Sequence, residues 1–149
     1  MLAFQFVAVL AATLFSGASI YINLAEHPAR MDCGITLAAT VFGPSYRRAT
    51  VMQTILASAA TIAGFGAWFM GAPRLWFVGA VLIFAVIPFT LIVILPTNKK
   101  LLDPALDPGS EVAHGLLQDW GKLHAVRSIL ALAASIMFLS SVIWPSGFR

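Results

Sequence analysis

Two short stretches of this sequence place polar side chains at helical spacing beside long apolar runs. In the first, Asn23, Glu26, His27 and Arg30 lie at relative positions 0, 3, 4 and 7. Residues three and four apart are neighbours on a helix surface, so these side chains share one face. An imidazole transfers protons near neutral pH, and amide or guanidinium groups stabilise negative charge on oxygen. The stretch therefore carries the groups needed to take a proton from a bound molecule.

The second stretch repeats the pattern with an aromatic ring. Trp120, His124 and Arg127 lie at relative positions 0, 4 and 7, and Asn98 follows an earlier apolar run in the sequence Pro-Thr-Asn. The two stretches together supply two imidazoles, a carboxylate, amides and several guanidinium groups. These are the side chains of general acid–base chemistry, provided that the fold brings them together.

The composition indicates which solvent the chain is built for. Of its 149 residues 60% are hydrophobic and 10% are charged, whereas soluble domains carry roughly a quarter charged residues. The formal net charge is +3, but its Lys and Arg residues stand singly or in pairs at the ends of apolar runs. That distribution argues against nucleic-acid binding and predicts a lipid bilayer as the partner. The single cysteine, Cys33, excludes an intrachain disulfide.

Four apolar runs, at about 2–24, 51–70, 75–95 and 124–144, define the expected elements. Each has about 20 residues, enough at ~1.5 Å per residue to cross a hydrocarbon core of ~30 Å. Backbone groups in lipid must bond within their own segment. The sequence therefore predicts an all-α, four-helix transmembrane bundle forming a single domain, 1–149.

A shift of 74 residues aligns Ile55-Leu56-Ala57 with Ile129-Leu130-Ala131, among other matches. Two repeated helical hairpins would produce this similarity. Chance matching among common apolar residues would also produce it, and both explanations remain open, as does homo-oligomerisation.

The topology predicts that the polar residues converge. Helices one and three end on the side of the membrane where helices two and four begin, so Tyr46, Arg47, Arg48 and Gln53 join the polar stretches. The two long connecting segments on this side carry six cationic residues, namely Arg30, Arg47, Arg48, Lys99, Lys100 and Lys122. The other side offers Arg74 and Arg149. Because cytoplasmic segments are enriched in Lys and Arg, both long loops should be cytoplasmic and both termini outside.

The orientation of Arg127 and the role of the histidines each have two possible interpretations. Arg127 lies about one turn inside the last run, where a lipid-facing charge costs a few kcal/mol. It should point inward or extend to the headgroups. His27, Glu26 and His124 could form a two-histidine, one-carboxylate metal set, or the histidines could bind a haem. Glu26, His27 and His124 do not include the usual Glu-x-x-His ligand spacing, so we predict no metal and no cofactor.

The order of these motifs resembles the DUF1772 family of anthrone oxygenase-like integral membrane proteins over nearly the whole chain. The matching elements are Glu26-His27-Pro28-Ala29-Arg30, Pro96-Thr97-Asn98, and Trp120 through His124 to Arg127. The resemblance implies a protein of the bacterial cytoplasmic membrane that uses O₂ to convert a lipophilic anthrone-type phenol to a quinone. It implies that neither flavin nor haem takes part.

Within that reaction, His124 is the expected base, with His27 as the second choice. Arg127 would join it as the oxyanion partner. The expected substrate contacts come from the remaining polar or aromatic residues of the two stretches, namely Asn98, Trp120, Glu26, Arg30 and Asn23. Two other functions stay open: a non-enzymatic membrane subunit that binds a quinone or lipid headgroup in the same pocket, and a transporter. The transporter is least favoured, because no acidic residue lies in the middle of a predicted span.

Overall fold

Four long helices make up the chain. The computed structural model describes residues 1–144, so Arg149 lies outside the described residues. Helix α1 spans Leu2–Asp32, α2 spans Ile35–Phe69, α3 spans Arg74–Leu101 and α4 spans Glu111–Ile143. All four are long and apolar enough to cross a membrane, and the described part of the chain contains no strand. The predicted all-α, four-helix transmembrane architecture is confirmed, and the protein is an integral membrane protein.

The helices extend well past the apolar runs on the side that carries the polar residues. Helix α2 begins at Ile35 rather than at residue 51, and α4 begins at Glu111 rather than at residue 124. The expectation of two long loops there is therefore wrong, because the connections are only residues 33–34 and 102–110. Apolarity marks the part of a helix that meets lipid, whereas polar helix-forming residues continue the same helix into the interface. The polar side chains of the two stretches consequently lie on helices and not on loops.

The helices pack as a square in which each touches its neighbours along the chain and α1 also touches α4. At the end near the α2–α3 turn the core is rich in alanine, which lets helices approach closely. There Trp76 of α3 stacks on Phe138 of α4 with ring centroids 5.1 Å apart. The opposite end is built differently, because an aromatic cluster around Phe42 and Trp120 surrounds polar side chains.

Helices α1 and α3 each contain a widened π-helical turn, at Ile22–Glu26 and Thr90–Ile94. In both helices this turn ends two residues before a proline, Pro28 or Pro96. Proline has no N–H and its ring clashes with the carbonyl four residues earlier, so the helix must distort upstream. The wider turn absorbs this distortion without ending the helix, and such turns are frequent at functional sites.

Candidate functional site

A small polar cavity lies at the end of the bundle where the polar stretches meet. Its volume is about 30 Å³, and all four helices contribute to its wall. The lining residues are Ile22, Arg30, Phe42, Ser45, Tyr46, Ala49, Thr50, Gln53, Ile94, Asn98, Trp120, His124 and Arg127. Five of the eight site residues predicted from the sequence therefore share one cavity, namely Arg30, Asn98, Trp120, His124 and Arg127.

His124 is held in a defined orientation by Asn23. The side chain is 2% exposed, and its Nδ1 lies 2.7 Å from Asn23 Oδ1. Asn23 in turn donates from Nδ2 to the Gly121 carbonyl at 3.1 Å. Only the amide nitrogen can donate to a carbonyl, so the Asn23 oxygen must face the imidazole. Neutral His124 therefore carries its proton on Nδ1 and keeps the lone pair on Nε2.

Ser128 completes this network and was not foreseen from the sequence. Its hydroxyl donates to Asn23 Oδ1 at 2.6 Å and lies 3.1 Å from the His124 carbonyl. The only signal in the sequence was its position four residues after His124, one helical turn further. Asn23 thus lies behind the imidazole, where it positions His124, and does not line the cavity.

Trp120 holds the aromatic part of the site together. Its ring centroid lies 4.8 Å from that of His124 and 5.2 Å from that of His27. Phe42 meets it edge-on at 5.3 Å, and the Arg30 guanidinium lies 5.6 Å above it. The indole therefore fixes three polar side chains, and its predicted contact with a substrate stays a prediction.

Glu26 and His27 lie beside the cavity but do not line it. Glu26 pairs with Arg30 at 3.2 Å and accepts a hydrogen bond from Ser45 at 2.8 Å. His27 is buried against Gly121, where an added Cβ would lie 2.7 Å from its Nε2. Among residues 1–144, no group of three or more His, Cys, Asp or Glu side chains is arranged to hold a metal ion.

Arg127 points into the bundle and not along it toward the headgroups. Its guanidinium donates to Gln53 Oε1 on α2 and lies 5.2 Å from the ring centroid of Phe15 on α1. Of the two orientations considered from the sequence, the inward one is therefore present. An inward arginine in a membrane helix is usually functional, because burying it is costly.

Several buried polar atoms around the cavity have no hydrogen-bond partner among the described residues. They include Asn98 Oδ1, Gln53 Nε2 and the Nε atoms of Arg30 and Arg127. Asn98 is 1% exposed and Gln53 is 4% exposed, so bulk solvent does not satisfy them. Buried polar groups in native proteins are nearly always paired. A bound molecule with donors and acceptors would pair them.

Comparison with known proteins gives a family match over most of the chain. A family model described as anthrone oxygenase matches residues 1–137. The anthrone oxygenase tpcL of Aspergillus fumigatus is 36% identical over 77 residues, which cover 49% of this chain and 46% of that relative. The match thus spans about half the length of the curated relative. No solved structure matches the chain.

Proposed function

The chain belongs to the anthrone oxygenase family, and from that premise we propose that it oxidises an anthrone-type polycyclic phenol to a quinone with O₂. The oxidation would proceed through a carbanion formed by a protein base, without a flavin, haem or metal. The observation that carries the proposal is the His124 imidazole, which lines the polar cavity while Asn23 occupies its Nδ1.

The substrate supplies all the electrons in this scheme. His124 Nε2 takes a proton from the CH₂ group between the two aromatic rings, which leaves a resonance-stabilised carbanion. The carbanion passes electrons to O₂, a C–O bond forms, and return of the proton gives a hydroperoxide. Loss of the remaining C–H proton and cleavage of the O–O bond release water. One oxygen atom stays in the quinone and the other leaves as water.

The neighbouring polar groups would stabilise the charge that develops. When the CH₂ proton leaves, negative charge spreads to the oxygen on the opposite side of the central ring. Arg127 and the Asn98 amide nitrogen are donors at the same cavity, and fixed donors in a water-poor site stabilise such an oxyanion strongly. Asn98 Oδ1, which has no hydrogen-bond partner among residues 1–144, would accept a hydrogen bond from a phenolic hydroxyl.

The remaining predicted site residues have supporting roles in the proposed reaction. Arg30 lines the cavity and contacts the substrate, while Glu26 keeps the Arg30 guanidinium in place through their ion pair. His27 packs against Trp120 and does not line the cavity, which makes it the weaker candidate for the base. Trp120 contacts the substrate through the part of its indole ring that His27, Phe42 and His124 do not cover.

Oxygen uptake with anthrone tests this function directly. The full chain in lipid nanodiscs should consume one O₂ per anthrone and form anthraquinone faster than empty nanodiscs, which measure the spontaneous oxidation. Activity should survive dialysis against a chelator, since no metal takes part. A rate equal to that of empty nanodiscs would refute the oxidation, and loss of activity on chelation would refute the cofactor-free mechanism.

One observation favours the second candidate, a subunit that binds a quinone or a lipid headgroup without turnover. A cavity of about 30 Å³ holds about one or two water-sized groups, and its guanidinium groups suit an anionic or carbonyl oxygen. On this alternative the protein would bind anthraquinone tightly yet leave the rate of anthrone oxidation unchanged.

The site would face the cytoplasm of a bacterial cell. Six of the eight Lys and Arg residues that flank the apolar runs lie on the side of the polar cavity, and cytoplasmic flanks are enriched in cations. Both termini would then be outside. A lipophilic phenol formed in the cytoplasm and dissolved in the membrane could reach such a site without crossing the bilayer.

A further inference from the structure

A second, larger cavity opens between α2 and α3. Its volume is about 230 Å³, and its walls are mostly apolar. Thr54 and Ser58 line it from α2, Leu91 lines it from α3, and Phe15 of α1 lies on its inner wall. Leu91 is 59% exposed although it lies within a membrane-spanning helix. We refer to this opening as the α2–α3 cleft, and its mouth faces lipid.

The α2–α3 cleft shares one wall with the polar cavity. Tyr46, Thr50, Gln53 and Arg127 line both spaces. Arg127 contacts Gln53 across this wall, so the two side chains form the partition between an apolar space and a polar one. Gln53 Nε2 and Arg127 Nε both belong to this partition, and neither has a hydrogen-bond partner in the described part of the chain.

The depth of the cleft matches the hydrocarbon region. Counting ~1.5 Å per residue along α2 from its end at Phe69, Ser58 lies roughly 17 Å and Thr50 roughly 29 Å away. A hydrocarbon core is ~30 Å thick. The cleft therefore opens within the half of the bilayer nearer to the polar cavity, with its polar end close to the interface.

We propose that the α2–α3 cleft is the lateral entrance from the bilayer and the binding subsite for the fused rings of a lipophilic polycyclic phenol. This inference rests on the proposed function and assigns the ring-binding part of its site. The central ring lies at the Gln53–Arg127 partition, with its CH₂ group directed toward His124 in the polar cavity. Arg127 lines both spaces, so its guanidinium can reach the oxygen on the other side of that ring.

Size supports this division of the site. The polar cavity is too small for an aromatic ring, whereas a cavity of about 150 Å³ is enough to hold benzene. The α2–α3 cleft exceeds that volume and is open on one side, so further rings can extend along Leu91 toward lipid. Phe15 offers an aromatic surface directly beside the Arg127 guanidinium, which suits a planar ring with an oxygen at its edge.

Two matched pairs of variants test the cleft by anthraquinone binding. Thr54→Trp and Leu91→Trp place an indole in the cleft from its opposite walls. Ile55→Trp and Ile92→Trp add the same indole one position further along each helix, at residues that are 63% and 73% exposed and lie outside the cleft. All four positions already face lipid, so the bundle has room for the larger side chain at its surface.

The measurement is binding of radiolabelled anthraquinone to the full chain in nanodiscs, corrected for partition into empty nanodiscs. Thr54→Trp and Leu91→Trp should each raise the dissociation constant at least about tenfold, and the two controls should change it less than about twofold. Equal affinity in all five proteins, or equal loss in all four variants, would overturn the assignment. If one cleft variant is not recovered folded, the other wall provides the test.

The same proteins separate this inference from the proposed function. If wild-type protein oxidises anthrone and the cleft variants do so with unchanged KM, the function stands and the cleft is not the entrance. If wild-type protein binds anthraquinone through the cleft but does not speed anthrone oxidation, the cleft assignment stands and the oxygenase function is refuted.

Discussion

At the scale of single residues, the site depends on how one imidazole is oriented. Asn23 and Ser128 form a short hydrogen-bonded chain to His124, and none of the three side chains is free to turn without leaving a buried polar atom unpaired. Leaving such an atom unpaired costs about 1–3 kcal/mol. The network therefore keeps Nε2 available and Nδ1 occupied, which is the arrangement that a general base requires.

The first prediction concerns that base. His124→Ala should lower the rate of anthrone oxidation by roughly 10² to 10⁴, the usual contribution of a general base. His114→Ala is the matched control, because His114 lies in the same helix, contacts Gln118 and Glu111 and does not line the cavity. Rates are compared per folded protein recovered from membranes. Equal rates for His124→Ala and wild type would show that another group takes the proton.

The second prediction concerns the planar fork of Arg127. Arg127→Lys keeps the charge but cannot contact Gln53 and a substrate oxygen together with the same geometry. We expect kcat to fall by about 10- to 100-fold, since the lost donor acts on charge that develops during the reaction. Arg48→Lys, at an exposed position on α2, should leave kcat unchanged. An active Arg127→Lys protein would instead indicate that a positive charge alone suffices.

At the scale of the helices, the close approach of α1 and α4 brings the two polar stretches into contact. His27 of α1 packs directly on the backbone of α4 at Gly121, one residue after Trp120 and three before His124. The π-helical turns of α1 and α3 act at the same level of the bundle. They let each helix pass its proline and still present Asn23 or Asn98 to the site.

The third prediction tests this contact. Gly→Ala in a helix normally stabilises it by about 0.5–1 kcal/mol. Gly115→Ala in α4 should follow that rule, because an added Cβ there meets no atom of residues 1–144 within 4 Å. At Gly121 the Cβ would overlap the buried His27 ring, so overpacking should cost about 1–3 kcal/mol. Gly121→Ala should therefore lower the unfolding midpoint in detergent and reduce turnover. A higher midpoint for both variants would mean that the His27 ring moves freely.

At the scale of the whole molecule, the bundle has two unlike ends. The end near the α2–α3 turn has an alanine-rich core, while the other end holds the polar cavity and the α2–α3 cleft. Cationic residues are concentrated at the cavity end. On the proposed function, the chemistry would take place at the membrane face that carries the polar cavity.

The fourth prediction is the orientation of the bundle. Cys33 is exposed in the connection between α1 and α2, so the unmodified protein carries one thiol on the side predicted to be cytoplasmic. A membrane-impermeant maleimide should label it only after cells are permeabilised. Met70→Cys in a Cys33→Ser background places the thiol at the opposite end and should be labelled in intact cells. The reverse pattern would invert the orientation.

The lipid environment, the four helices and the family could all be predicted from the amino-acid sequence, because each of them follows from signals that are local along the chain. Runs of about 20 apolar residues require helices in lipid, and the motifs at 26–30, 96–98 and 120–127 support the family that the comparison confirms. The sequence also predicted that the polar residues meet at one end of the bundle, because the number of membrane crossings determines which helix ends lie on the same side. The residues that meet there are Arg30, Asn98, Trp120, His124 and Arg127.

The arrangement of these groups could not be predicted, because it depends on how the four helices pack against one another. Apolarity could not locate the helix ends, because polar helical turns beyond the lipid look like loops in a hydropathy pattern. Nor could spacing show that Asn23 serves His124, that Ser128 joins them, or that Arg127 turns toward Gln53. These contacts join residues 74 to 105 positions apart and depend on the rotation of each helix about its own axis. That rotation is fixed by side-chain packing across the bundle and leaves no local trace in the sequence.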